Sequence, residues 1–530
     1  MFLIMSADYV GQELRSEFGC IPPSFLPLGN RRLFQHQVKL APKGSTVYLS
    51  IPESYQVSKT DMEWLDENGV RVIYTADNLS LGASLVAALN LSDHSLKTPL
   101  HILFGDTLFT ELPSGDDIIC VSDVTNSYNW AVVTNDNMQW LKNNDEKLEP
   151  SSNNIVNGYF KFSSPRELIR TMTQSNWKFL EGLNKYNSKI GLTPVYSEGW
   201  LDFGHVNTYY RSKANFTTQR AFNKLKINSD WIEKSSSKSS KIAAEANWFA
   251  NLPFPLRGYI PQYLGSSRKG ENVSYRLEYL HQTALNELYV FGELPTNTWE
   301  HIINGTIEFL KCCLSEKAPN DALKNRISAL FGEKTKHRLE EYCHEQNIEL
   351  SDKWSYNGQM SVTLQDLLNN SQSYLPIDNN DLSLTVLHGD FCFSNILYDF
   401  RANRIKTIDP RGTTPNGDFT IYGDIRYDIA KLSHSILGMY DWIIAGYYDV
   451  DIDGNDIHFK IDEHARHKVI QQRFMELIDK EFGISSVSLM AMQIQLFLSM
   501  LPLHSDDRER QKALFANAFR IYEMMQRIEK

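Results

Sequence analysis

The sequence predicts a chain of two parts. The first, to about residue 214, is an α/β domain with a mainly parallel, doubly wound sheet. The second is an α+β region that turns largely helical after residue 296. Three observations predict this: strand-like and helix-like runs alternate up to about residue 210; the composition then shifts to a polar, Ser/Lys-rich stretch over 211–241, RSKANF…KLKINSDWIEKSSSKSSK; and 530 residues are too many for one core.

In chain order, the strand-like runs are 2-FLIMSA-7, 46-TVYLSI-51, 71-RVIYTA-76, 100-LHILFGD-106 and 117-DIICVSD-123. Between and after them, 60-TDMEWLDENG-69, 79-LSLGASLVAALNL-91 and 164-SPRELIRTMTQSNWKFLEGLNKY-186 carry helical spacing. The Ser/Lys-rich stretch suits a solvated linker, yet 221-AFNKLKI-227 and 231-WIEKSS-236 inside it read as strands that open a new small sheet.

Hydrophobic content of 42% and charged content of 22% are those of a globular protein, and a net charge of -11 argues against a nucleic-acid partner. It does not argue against a nucleotide, which a few local cations with Mg²⁺ hold on an acidic protein. The six cysteines, with Cys312 and Cys313 adjacent and no CxxC pair, read as reduced thiols of a cytoplasmic protein. The opening MFLIMSADYV has no cationic flank and meets Asp8 too early for a signal peptide. The apolar run 487-VSLMAMQIQLFLSMLPL-503 carries two Gln, so no membrane span is expected.

The most informative stretch is 386-VLHGDFCFSNILYDFRANRIKTIDPRG-412. A strand ends in a tight turn at Gly389 and turns Asp390 outward. Asn395 follows, just before Ile396-Leu397-Tyr398. The run 404-RIKTID-409 can close a hairpin and bring Asp409 beside Asn395. A carboxylate and an amide oxygen are hard donors that suit Mg²⁺. The remaining carboxylate, Asp390, is free to orient and deprotonate a hydroxyl, and phosphoryl transfer needs little more than metal charge, alignment and one base. Asp and Asn beside Gly are also turn formers, but turn chemistry does not account for the ordered set His-Gly-Asp-x4-Asn followed by Ile-Asp-Pro.

That stretch resembles the catalytic loop and metal motif of the aminoglycoside phosphotransferase and choline kinase group, and 423-GDIRYDIAKLSHS-435 is similar to the segment that opens a later helix there. The resemblance implies a two-lobed, protein-kinase-like fold, with an N-lobe and hinge over 215–295 and a largely helical C-lobe over 296–530. It implies Asp390 as catalytic base, Asn395 and Asp409 as Mg²⁺ ligands, and His388 and Asp428 as bracing residues. Lys234 then fits the strand lysine that contacts the nucleotide phosphates, and Glu245, in 241-KIAAEANWF-249, its ion-pair partner, although either also reads as a solvated charge. The run 274-SYRLEYL-280 would be the hinge at the nucleotide base, with Glu278 and Leu280. No GxGxxG precedes Lys234, which leaves 235-SSSKSS-240 as the candidate phosphate cover. Tyr440, Asp441, Trp442 and 502-PLHSDD-507 are substrate-pocket candidates; such a cluster could cage a quaternary amine, although aromatics in a helical region are usually core. The absence of an activation-segment motif after Asp409 disfavours a protein kinase.

In the first part, 22-PPSFLPLGNRRLFQHQV-38 resembles the entry of sugar-phosphate nucleotidyltransferases, with a doubly wound fold implied. Asp106, in 102-ILFGDTLF-109, and Asp202, in 199-GWLDFGHVNTYYRSK-213, match that family's two metal acids. Two departures bear on activity. The Gly-rich loop is reduced to 6-SADYVGQELR-15, with Gly11 alone before Arg15, and Ser24 stands where the family has Lys.

Together these readings lead to an Mg²⁺-dependent kinase that moves the γ-phosphoryl group of ATP or GTP to a hydroxyl of a sugar or amino alcohol. It is fused to a nucleotidyltransferase-like domain for which CTP or UTP is the implied nucleotide. The pairing implies consecutive steps in bacterial capsule or lipopolysaccharide precursor synthesis. The alternatives are a bifunctional enzyme that makes an NDP-activated product, and a non-catalytic nucleotide-binding scaffold. Homo-oligomerisation is left open.

Overall fold

The computed structural model describes residues 1–123, 131–134, 140–143, 154–220, 224–228, 230–236, 239–270, 272–319, 327–376, 384–461 and 465–529. The strand-like 221–223 and residues Ser237 and Lys238 of the candidate phosphate cover lie outside them. Two compact units emerge, Met1–Lys213 with Phe291–Glu293, and Ala214–Val290 with Leu294–Lys530.

In the first unit the continuous apolar run Phe2–Met5 forms β1, buried along its whole length at the centre of the sheet. The other strands are β2 (Val47–Pro52), β3 (Val70–Thr75), β4 (Leu100–Phe104), β5 (Thr107–Phe109), β6 (Ile118–Asp123), β7 (Ala131–Val133), β8 (Leu141–Asn143), β9 (Asn154–Phe162), β10 (Thr193–Tyr196) and β11 (Trp200–Asp202). The main path runs β10-β6-β9-β4-β1-β2-β3. Four neighbours, β3-β2-β1-β4, are parallel, with Phe2 opposite both Val47 and His101. The expected mainly parallel sheet is corrected by β9, which runs antiparallel to both β4 and β6. It is buried over most of its length, so no alternation of polar and apolar residues marked it as a strand.

Ser58 and Ser80 cap the helices Lys59–Glu67 and Leu81–Leu91, each accepting a backbone N–H of the first turn. The single helix expected over 164–186 is two, Pro165–Gln174 and Phe179–Lys189. Asn176 (φ 50°) and Trp177 (φ 63°) stand between them in the left-handed region, which no continuous helix accommodates.

In the second unit, β12 (Lys224–Ile227), β13 (Trp231–Ser236), β14 (Tyr263–Lys269) and β15 (Asn272–Glu278) form an antiparallel sheet ordered β12-β13-β15-β14. Alternate residues of β15, Val273, Tyr275 and Leu277, point inward. The helix Ser239–Asn251 packs on this sheet and buries Ile242, Ala244, Trp248 and Phe249. The rest is mainly helical, built on Thr296–Ser315, Ile327–Gln346, Ile425–Ile436, Ala465–Phe482, Ser486–Met500 and Arg508–Glu529. Short strands interrupt it: β16 (Thr283–Ala284), β17 (Lys353–Tyr356), β18 (Met360–Thr363), β19 (Thr385–Val386), β20 (Ile396–Asp399), β21 (Arg404–Thr407), β22 (Tyr422–Gly423), β23 (Tyr448–Asp453) and β24 (Asp456–Ile461).

By length and composition alone Ser486–His504 could cross a membrane, and 61% of its apolar window is buried inside the structure. Its two glutamines serve that interior: Gln493 Nε2 donates to the Ala430 carbonyl (2.9 Å) and Gln495 Nε2 to Ser371 Oγ (2.8 Å). A helix apolar on all sides is what a buried core position requires.

Candidate active site

The site in the second unit grows from one turn. After Val386, which pairs with Tyr422 across β19 and β22, the chain reverses at Gly389 (φ 81°). A Cβ at Gly389 would lie 2.7 Å from Arg411 Cβ, so both conformation and space demand glycine there. The buried amides of the turn do not go unpaired. His388 N–H donates to Asp428 Oδ2 (2.7 Å) and Gly389 N–H to Asp428 Oδ1 (2.8 Å). Asp428 is fully buried on the helix Ile425–Ile436, and burial pushes its carboxyl up to about 7 against those two amides, which favour its charged form.

His388 braces the turn from within. Its Nε2 donates to the Ile408 carbonyl (3.0 Å) and its Nδ1 accepts from Asp390 N–H (3.3 Å), so the proton sits on Nε2. Trp248 packs edge-on against the ring at 5.6 Å. Burial pulls the imidazole down to about 4 from 6.5. The unfolded chain therefore takes up a proton near pH 6.5 that the native protein refuses, and stability from this source is present above pH 6.5 and lost as pH falls through about 4. At full effect that is about 3 kcal/mol. Calorimetric unfolding between pH 7 and 4 should show His388→Gln taking up about one proton fewer on unfolding than the wild type. An unchanged slope would remove His388 from the account.

The expected hairpin forms: β20 and β21 pair antiparallel, with Ile396 opposite Thr407, and Ile408 N–H reaches the Asn395 carbonyl (3.0 Å). Asp409 follows at once, in the left-handed region (φ 57°), a strained position for a non-glycine residue that Asp tolerates better than most. Gly412 (φ 67°) lets the chain pass the helix Ser239–Asn251, since a Cβ there would sit 2.3 Å from the Ala244 carbonyl oxygen. That close passage sets Asp409 beside the helix that carries Glu245.

Lys234, on β13, joins the two acids. Its Nζ lies 2.8 Å from Glu245 Oε2 and 2.9 Å from Asp409 Oδ1. Tyr275 OH donates to the same Glu245 oxygen (2.7 Å), and Glu245 is 1% exposed. Burial alone would lower the Lys234 ammonium, but Asp409 and Glu245 together carry it above its usual range. This is not a solvated surface pair.

Asp390 is held from both sides. Lys431 Nζ lies 2.8 Å from its Oδ1, and Asn395 Nδ2 donates to its Oδ2 (3.1 Å) and to its backbone carbonyl (2.9 Å). Burial would raise the Asp390 carboxyl, but the Lys431 ammonium overrides it and holds the group below the usual range. Sequence reading missed Lys431. The available signal was its spacing, three residues beyond Asp428 and so on the same helix face.

Among the described residues no group of three or more His, Cys, Asp or Glu gathers into a metal centre. The donor set still fits Mg²⁺. Asn395 turns its nitrogen to Asp390, which leaves its oxygen to a cation, and Asp409 adds a carboxylate; a nucleotide-bound Mg²⁺ needs few protein oxygens beyond these.

Glu278 ends β15, accepts the Gln262 N–H (3.2 Å) and lines a cavity of about 450 Å³ with Arg257, Gln262 and Lys406; Leu280 follows, half-buried. Trp442 is 2% exposed and packs on His467, Tyr447 and Tyr289, so it belongs to the core and cages nothing. Tyr440 stacks on His434 at 4.5 Å, and burial pushes Asp441 up to about 6. In 502–507, His504 Nε2 reaches Tyr440 OH (3.4 Å).

In the first unit the structure brings Asp106 and Asp202 together. The short antiparallel pair β5–β11 aligns Thr107 with Asp202, and a Cβ on Gly204 would lie 2.6 Å from Asp106 Oδ2 and 3.3 Å from Asp202 Oδ1. Burial, then the Asp202 charge, pushes Asp106 up to about 6. His205 Nδ1 lies 3.4 Å from Asp202 Oδ2, whose hydrogen bond raises the imidazole. Both acids line a cavity of about 690 Å³ with Asn157, Trp200, Lys142 and Lys178, none of which the sequence reading singled out. Ser24 is buried, its N–H on Ser6 Oγ (2.9 Å) and its hydroxyl on the Gly105 carbonyl (3.2 Å), and so serves the backbone.

No known family profile matches the chain, and neither does any curated protein sequence. Solved structures do. The chain is similar to a nucleoside-diphosphate-sugar pyrophosphorylase from Vibrio cholerae RC9, at 13% identity over 40% of this chain and 99% of that one, with a TM-score of 0.33. It is similar to the inositol-1-phosphate CTP transferase from T. maritima at 16% identity, over 42% and 97%, with a TM-score of 0.32. It is also similar to a GDP complex of an aminoglycoside 2'-phosphotransferase variant of type IIIa, at 14% identity over 57% of this chain and 89% of that one, with a TM-score of 0.36. Its structural neighbours thus include nucleotidyltransferases over some two fifths of the chain and aminoglycoside phosphotransferases over more than half.

Proposed function

We propose that residues 215–530 are a small-molecule kinase that transfers the γ-phosphoryl group of ATP or GTP to a hydroxyl of a sugar or amino alcohol. In this reading 215–295 is the N-lobe and hinge and 296–530 the C-lobe. One observation carries it: Lys234 bridges Glu245 and Asp409, with the Asp390–Asn395 pair on the same hairpin. Lys234 holds the nucleotide phosphates while buried Glu245 fixes its direction. Asn395 and Asp409 would hold Mg²⁺, which would supply charge at the phosphate oxygens. The acceptor hydroxyl hydrogen-bonds to Asp390, its oxygen forms the new bond to the γ-phosphorus, the bond to the bridging β–γ oxygen breaks, and the proton passes to Asp390. A base held below its usual range suits a loose transition state, in which orienting the hydroxyl matters more than removing its proton early.

The Asp106–Asp202 pair and the Lys142 and Lys178 cations favour a second reading for the first unit, nucleotidyl transfer from CTP or UTP to the phosphorylated product. Such a sequence suits precursor supply for a bacterial surface polysaccharide. ³¹P NMR of the full chain with Mg²⁺, ATP or GTP, and a panel of sugars and amino alcohols tests both. The expected result is a new phosphomonoester with ADP or GDP, and then a diphosphate with pyrophosphate once CTP or UTP is added. A monoester alone would reduce the first unit to a binding element. No transfer across the panel would leave the chain a nucleotide-binding scaffold.

A further inference from the structure

The cavity of the first unit has an aromatic wall. Phe104, Phe160 and Phe179 all line it, with ring centroids 5.5, 5.9 and 5.7 Å apart, and Leu81, Leu141 and Leu180 extend the apolar surface. Gly158 lets β9 close on this wall. Its φ is 89°, and a Cβ there would lie 2.8 Å from Thr107 Oγ1 and 3.1 Å from Phe104 Cβ. The residue before it, Asn157, also lines the cavity and is 2% exposed. Its amide is locked in one orientation. Ser122 Oγ gives its hydrogen to the Ser197 carbonyl (2.9 Å), so towards Asn157 it only accepts, and Asn157 Nδ2 donates to it (2.9 Å). That leaves Asn157 Oδ1 buried without a partner. An unpaired buried acceptor is costly, and a ligand that brings one donor removes the cost.

The other polar side chains on the described lining have little left to offer a ligand's hydroxyls. Asn184 spends its whole amide on the Leu141 backbone, accepting the N–H (2.8 Å) and donating to the carbonyl (2.9 Å). Thr107 Oγ1 donates to Asp106 Oδ1 and to the Asn157 carbonyl, each at 3.3 Å. Glu181 pairs with Lys178 (2.8 Å), and in the nucleotidyl-transfer reading Asp106 and Asp202 belong to the metal. Lys142 and Lys178, both exposed, supply charge for a phosphate. A hexose phosphate would press several hydroxyls against phenylalanine and leucine and lose their water without return. A cavity of about 690 Å³ does not exclude a hexose by size; its hydrogen bonding does.

We propose that the acceptor taken up by the first unit is the phosphate ester of a small, mostly apolar alcohol with one hydrogen-bond donor, and that Asn157 Oδ1 selects it by receiving that donor. This rests on the nucleotidyl-transfer reading of the first unit and narrows it: a short diol or amino-alcohol phosphate fits, whereas a hexose phosphate does not. The apolar chain lies on the phenylalanines, and the donor, a hydroxyl or an ammonium, pairs the buried amide oxygen.

The test uses the full chain in Mg²⁺. 3-Hydroxypropyl phosphate, 3-aminopropyl phosphate, propyl phosphate and glucose 1-phosphate are titrated calorimetrically into the wild type and Asn157→Leu. In the wild type, at least one donor-bearing probe should bind about fivefold or more tighter than propyl phosphate, and about tenfold or more tighter than glucose 1-phosphate. In Asn157→Leu the advantage over propyl phosphate should vanish while propyl phosphate binds as before, which shows the cavity intact. The hydroxyl and amine arms tell an alcohol donor from an ammonium. Glucose 1-phosphate binding as tightly as the donor-bearing probes, or a donor advantage that survives in Asn157→Leu, would overturn the proposal. So would the absence of binding by all four. Should Asn157→Leu fail to fold, the order of the four probes in the wild type decides alone. Pyrophosphate release from Mg·CTP and Mg·UTP with the best-bound probe is measured separately. Binding in the expected order without pyrophosphate would support the proposal and count against the transfer reading instead.

Discussion

Asp390→Asn should cut turnover by about a thousandfold or more while leaving nucleotide affinity within about twofold of the wild type. The two halves of this expectation come from different residues. In the proposed kinase reading the nucleotide is held by Lys234, which is tied to Glu245 and Asp409. In the same reading the acceptor is oriented by a carboxylate whose two oxygens are already assigned, one to Lys431 at 2.8 Å and one to Asn395 Nδ2 at 3.1 Å. An amide cannot serve both. Whichever way it turns, its NH₂ group faces a donor, so the substituted side chain must rotate away and the acceptor loses its guide. Single-turnover rates with saturating nucleotide, beside an equilibrium nucleotide titration, separate the effects. Turnover near that of the wild type would remove Asp390 from the chemistry. Matched losses of turnover and nucleotide affinity would point to a distorted hairpin instead.

The local part of this arrangement was legible in the sequence. The turn at Gly389, the amide at Asn395 and the return strand to Asp409 are set by short-range rules: glycine where φ is positive, apolar runs of strand length, and a hairpin between them. The Lys234–Glu245 pair crosses only from a strand to the next helix, the partners being 11 positions apart in sequence. What was not legible depended on distant packing. Lys431 reaches Asp390 from a helix whose position beside the turn no spacing encodes. β9 hid because a strand covered on both faces has no alternation to read. The break at Asn176 and Trp177 hid because neither residue is a strong helix breaker, and tertiary contacts hold them in the left-handed region. Trp442 was ambiguous in principle, since an aromatic in a helical segment reads alike whether it faces a ligand or the core. In the first unit, the paired acids were marked by their places after β4 and in β11, whereas the cavity they share with Lys142 and Lys178 depends on segments far apart in sequence.

Asp428→Ala should destabilise the second unit by about 2–5 kcal/mol, because it leaves two buried amide donors without an acceptor. Those donors are the N–H groups of His388 and Gly389, the residues that shape the turn beneath Asp390. Water is poorly placed to replace the carboxylate, since Asp428, His388 and Gly389 are all buried. Asp428→Asn should cost less, about 1–3 kcal/mol, because one amide oxygen still accepts a hydrogen bond while its NH₂ group confronts the other donor. The order Ala worse than Asn follows from hydrogen bonding alone and does not depend on whether the native carboxyl is charged. In a chain of two units a single unfolding midpoint is a poor measure, so the sharper readout is hydrogen exchange at the amides of His388 and Gly389. Both should lose protection in Asp428→Ala, with turnover falling as the turn loosens. If Asp428 instead acted directly on the acceptor, the alanine variant would raise the acceptor KM while those two amides stayed protected, because a side chain that touches substrate need not support the turn.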